Sequence, residues 1–170
     1  MPPQVFFFVS IAFSFIAWWI VAMRYIWPKL RLLRRAEALR PILTLHSFRF
    51  IGLAFLVPGV VSPDLPSAFA HSAAYGDTVA ATLALLSLAP LPRGAGVVIT
   101  WVFNLWGSAD LLNAFYQANE SGLTAGQLGA TYFIPTFIVP LLLITHGLAF
   151  RILLQHQGEP AIRENRQPAI

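Results

Sequence analysis

The chain has 170 residues, 57% of them hydrophobic and only 11% charged, with a formal net charge of +4 and a mean hydropathy of +0.68. That balance excludes a soluble domain with a polar surface and points to one membrane domain, since apolar segments consume most of the length. There is no cysteine, which excludes disulfides, thiolate catalysis and iron–sulfur ligation.

The first apolar run, 5–26, exceeds the ~20 helical residues that a hydrocarbon core demands. The residues before it carry no basic side chain, whereas Lys29, Arg31, Arg34, Arg35 and Arg40 follow it. The run therefore reads as a retained span rather than a secretory signal, with its N-terminus outside and the cations on the cytoplasmic side. Between Pro28 and Arg40 leucines alternate with cations, a pattern suited to a short amphipathic helix on the membrane surface. The partner implied there is an anionic lipid headgroup, and nucleic acid is discounted.

A second span is expected over 41–61, followed by the turn Ser62-Pro63-Asp64-Leu65-Pro66. The third, 72–90, is the weakest, because its apolar core from Thr78 to Pro90 is too short to cross alone and must draw Asp77 toward the membrane. Its crossing is nonetheless expected, since otherwise Arg93, Arg151, Arg163 and Arg166 would fall outside. A fourth span covers 97–116, a polar loop follows, and a fifth runs over 131–153. The expected fold class is thus an all-α integral membrane protein, a five-helix transmembrane bundle with its N-terminus out and C-terminus in. A single domain over 1–156 precedes a flexible cytoplasmic tail over 157–170, and a bacterial inner membrane is the expected location. Ten of the eleven Lys and Arg residues then lie at or beyond the cytoplasmic ends of the spans, Arg24 and Arg151 just within them, and Arg49 is the one set deep inside a span.

Ionisable groups at membrane depth are expensive and face the bundle interior. The residues singled out on that ground are His46, Arg49, Asn104, Asp110, Asn113 and His146. His46, Arg49 and Gly52 share one side of the second helix, and Gly107, Asp110 and Ala114 share one side of the fourth. A rise of ~1.5 Å per residue brings Asp110 within reach of an extended arginine. An Arg49–Asp110 pair is the leading physical expectation. The pair either fixes which helices are neighbours or forms a polar pocket in which Arg49 recognises an anionic or carbonyl-bearing ligand.

His46 and His146 lie at matching depth, which admits a subordinate reading as axial ligands of haem b. No cofactor is the leading expectation. His71 and Asp77 supply too few ligands for a metal site, Asn119-Glu120-Ser121 matches a glycosylation acceptor, and Gly94-Ala95-Gly96 lacks the lysine and strand context of a phosphate loop. No catalytic triad or carboxylate pair is legible, so enzyme activity is not the expectation. The sequence points to a small polytopic protein that binds or translocates a small molecule or ion through a polar intramembrane site. The alternatives are a non-catalytic membrane subunit of a larger complex, with a homo-oligomer or protein partner in the membrane, and a haem- or quinone-binding redox protein.

Overall fold

A computed structural model describes residues 3–91 and 94–155. The expected tail over 157–170, together with His156, Arg163 and Arg166, lies outside the described residues. Among the described residues there is no strand, only an isolated bridge between Pro58 and Val61. The described residues form six α-helices rather than five: α1 (Pro3–Val21), α2 (Trp27–Leu30), α3 (Arg35–His46), α4 (Ser67–Leu88), α5 (Gly94–Glu120) and α6 (Val139–Gln155).

The extra helix arises from proline. Pro28 cannot donate a backbone hydrogen bond, and its ring crowds the carbonyl four residues earlier, so the chain widens into a π-helical turn over Ala22–Ile26 before α2 begins. The same solution recurs before Pro140, where a π-helical turn over Ile134–Ile138 leads into α6. Trp18 Nε1 donates to the Phe137 carbonyl in that second turn at 3.1 Å, which ties α1 to it.

Among the described residues four continuous helical stretches are long and apolar enough to cross a membrane: Gln4–Leu30, Arg35–Leu56, Gly94–Glu120 and Ile134–Gln155. The expected third span is not among them. Its residues form α4, which begins at Ser67 rather than 72 and packs one face on the 47–56 segment, α5 and α3. Close packing on one face asks for small residues, and Ala70, Ala73, Ala74, Ala80, Ala81 and Ala84 are all buried, whereas Tyr75, Val79, Leu85 and Leu86 on its other face are exposed.

Two other expectations are corrected. The cationic stretch 28–40 does not form a separate surface helix: it is divided between α2, a tight turn at 31–33 and the start of α3. The second span begins at Arg35 and leaves helical structure after Leu56, ahead of Pro58 and of Gly59 at a φ of 81°.

Within that span the helix type changes. Residues Ser47–Leu56 wind as a 3₁₀-helix, which has three residues per turn, so side chains three apart eclipse one another. His46, Arg49, Gly52 and Phe55 therefore form one straight buried ridge, while Phe48, Phe50, Ile51 and Leu53 are exposed.

The buried apolar residues fall into two clusters. One gathers Trp27, Leu39, Leu43, Phe103, Leu148 and Ile152, with Ala84 from α4. The other gathers Phe55, Phe69, Leu111, Leu128, Ile134 and Leu142, with Ala73 from α4. On each of four helices the polar residues lie between the two clusters in sequence, Arg49 between Leu43 and Phe55, Asp77 between Ala73 and Ala84. Asn104 and Asp110 lie likewise between Phe103 and Leu111, and His146 between Leu142 and Leu148. The site is a polar layer sandwiched by apolar ones.

Candidate functional site

Arg49 is the centre of the layer and is 1% exposed. Its Nε donates to Asp77 Oδ1 at 2.7 Å and its Nη2 donates to Asp110 Oδ2 at 2.7 Å. Nη1 donates to the Gly107 carbonyl at 3.2 Å and to His146 Nε2 at 3.3 Å. The planar fork of a guanidinium suits this arrangement, because its donors diverge in one plane and reach two carboxylates on different helices at once. The pair anticipated between Arg49 and Asp110 is present, and Asp77 makes it a triad.

A second tier of polar contacts lies behind it. His146 Nδ1 donates to Asn104 Oδ1 at 2.6 Å, and Asn104 Nδ2 donates to the His146 carbonyl at 3.3 Å. His46 Nε2 donates to Thr145 Oγ1 at 2.9 Å, whose own hydroxyl donates to the Leu141 carbonyl at 2.9 Å. His46 Nδ1 is buried without a hydrogen-bond partner among the described residues. The His46 ring packs on Phe103, with centroids 5.1 Å apart.

Three glycines make room for this layer. A Cβ at Gly52 would overlap the Asp77 carboxylate, one at Gly76 would overlap Asp110, and one at Gly107 would overlap His146 and the Arg49 guanidinium. Each helix that brings an acidic or basic group to the centre thus meets a glycine on the helix opposite. Close backbone approach is what lets three short side-chain contacts form within one bundle layer.

Next to the layer, on the side of the second apolar cluster, lies a cavity of about 500 Å³. Its walls include Phe7, Phe8, Phe55, Phe69 and Phe115, and Asp77 and Asp110 also line it. Arg49 does not line the cavity, and four of its five N–H donors are engaged by protein acceptors. Both carboxylate side chains keep 10% of their surface exposed.

The residues picked from sequence are therefore divided. Arg49, Asp110, Asn104 and His146 form one connected network, and His46 joins it through ring contact with His146. Asn113 stands apart: it is exposed and donates to Ser72 Oγ at 3.1 Å. Asp77 was missed as a partner because a span starting at 72 puts it near a helix end. Counted from Ser67, directly after Pro66, it lies at the middle of α4.

The two histidines do not fit axial haem ligation. Their ring centroids are 4.2 Å apart, which leaves no space for a macrocycle between them, and His146 uses both ring nitrogens within the protein. His71 donates from Nδ1 to the Ser67 carbonyl at 2.7 Å. Among the described residues no group of three or more His, Asp or Glu side chains is placed to hold a metal ion.

Fold and site together define a helical bundle with membrane-length apolar helices and a buried, arginine-centred polar layer. The chain belongs to the family described as a domain of unknown function, DUF8737, whose model matches residues 6–154. No curated protein and no solved structure matches it.

Proposed function

We propose that this chain is an integral membrane protein that binds a small molecule or ion in the cavity beside the Arg49 layer. Four helices of sufficient length and apolarity support residence in a membrane. So does α1, whose Phe6, Phe8, Phe13, Ile16 and Trp19 are exposed as a patch that would be a liability in water. In this reading the N-terminus faces outward and the turn at 31–33 faces the cytoplasm of a bacterial cell, as the distribution of cations requires. The cationic stretch then lies against anionic headgroups.

The observation that carries the binding role is the cavity itself, with mostly apolar walls and two carboxylates that line it. A concave apolar site with few convergent polar groups is the usual form of a small-molecule site. Binding is favoured over passage, because the first apolar cluster packs the other half of the bundle beyond Arg49.

Filling the cavity tests the role. Ala73→Phe and Ala114→Trp both add bulk to its lining, and mass spectrometry of small molecules retained by protein purified from native membranes provides the readout. Wild-type protein should retain a species that both filled variants lose at unchanged folding. Equal retention by all three proteins would refute the role.

A further inference from the structure

The charge balance of the layer identifies the chemistry of its occupant. Arg49 supplies one positive charge and Asp77 and Asp110 two negative ones, and Arg49 uses one oxygen of each carboxylate. The layer is therefore anionic by one charge when all three groups are ionised. Its excess sits on the two side chains that line the cavity, while Arg49 lies behind them and is not part of the lining.

The walls add five phenylalanine rings. Phe55 and Phe69 meet edge to face with centroids 5.5 Å apart, and Phe7 and Phe8 do so at 5.6 Å. Aromatic faces carry negative electrostatic potential and attract cations, most strongly where water is excluded. An anionic floor under phenylalanine walls suits an organic ammonium with an apolar body and disfavours an anion or carboxylate.

We propose that the cavity is a site for a lipophilic monocation, its ammonium held by Asp77 and Asp110 and its apolar body against Phe7, Phe55 and Phe69. This rests on the cavity being a binding site at all, and it reverses the ligand charge that an exposed Arg49 would have selected. Neutral amphiphiles of the same shape lose the contribution of the carboxylates and retain that of the walls.

The test compares three benzyl compounds of different charge, the first two matched in shape, on the wild-type protein in nanodiscs. Benzyltrimethylammonium, its uncharged isostere neopentylbenzene and the anion phenylacetate are each measured by equilibrium dialysis against empty nanodiscs. The cation should bind about tenfold or more tightly than the isostere, and phenylacetate should not bind. Asp110→Asn should remove about tenfold from the cation alone, and Phe69→Leu should weaken the cation more than the isostere. Equal binding of cation and isostere overturns the monocation assignment while leaving the cavity as a site. No binding of any of the three, with the filled variants also indistinguishable from wild type in retained molecules, overturns the binding role beneath it.

Discussion

The imidazoles of His46 and His146 lie with centroids 4.2 Å apart, yet each carries its proton on a different nitrogen. His146 Nε2 accepts from Arg49, so its proton is on Nδ1 and points to Asn104. His46 holds its proton on Nε2, because the Thr145 hydroxyl that it meets is already donating to a backbone carbonyl. Hydrogen-bond partners fix a histidine tautomer in this way. Nitrogen-15 spectra of histidine-labelled protein should show one neutral ring of each tautomer. Thr145→Val should broaden or shift only the His46 signals, and two rings of the same tautomer would contradict the network.

The Arg49 triad makes an unusual prediction about removing charge. Arg49→Met strands two facing carboxylates, and breaking a buried pair by deleting one partner costs about 3–5 kcal/mol. The triple variant Arg49→Met, Asp77→Asn, Asp110→Asn strands none, and should be more stable than the single one. Unfolding titrations of the two proteins and the wild type in mixed micelles check this order. A triple variant less stable than the single would mean that the three groups are not coupled.

Glycine substitutions map the close approaches. Gly52→Ala, Gly76→Ala and Gly107→Ala each insert a methyl into Asp77, Asp110 or the Arg49–His146 contact, with an expected loss of about 1–3 kcal/mol from overpacking. Gly147→Ala meets nothing within 4 Å in α6, and should be neutral or stabilising by up to about 1 kcal/mol through helix propensity. Thermal melting of the four variants gives the comparison, and equal effects at all four positions would remove the packing argument.

The orientation proposed from the cations is open to direct labelling, because the chain has no native cysteine to interfere. Leu32→Cys lies in the 31–33 turn and Ser121→Cys in the loop after α5, both exposed. In intact spheroplasts a membrane-impermeant maleimide should label Cys at 121 and spare Cys at 32, until the membrane is permeabilised. The opposite pattern would invert the topology.

The Arg49–Asp110 contact was legible because both residues are rare charges in apolar runs and a fixed rise per residue sets their levels. Asp77 was hidden for a physical reason. Membrane-length segments announce themselves by hydropathy, and α4 carries His71, Ser72, Asp77 and Thr78 and builds its packed face from alanine rather than leucine, so the hydropathy signal fades. Its true start was marked only by Pro66 and Ser67. The two π-helical turns were not legible, because nothing local says whether Pro28 or Pro140 kinks a helix or widens its preceding turn. The cavity was not legible at all, since its lining comes from residues as distant in the chain as Phe7 and Phe115.

The 3₁₀ winding of Ser47–Leu56 sets a pitch as well as a ridge. A 3₁₀-helix turns about 120° per residue against about 100° in an α-helix, so rewinding these residues as α would unscrew the segment by ~20° at every step. Between Arg49 and Phe55 that amounts to ~120°, enough to carry Phe55 out of the cavity wall while Arg49 stays with its carboxylates. Rewinding would also shorten the ten residues by ~5 Å, at ~2.0 against ~1.5 Å of rise each. Ring position and segment length are thus geared to one another like thread and nut, and whatever holds Phe55 in the cavity wall also holds the helical segment at its extended length.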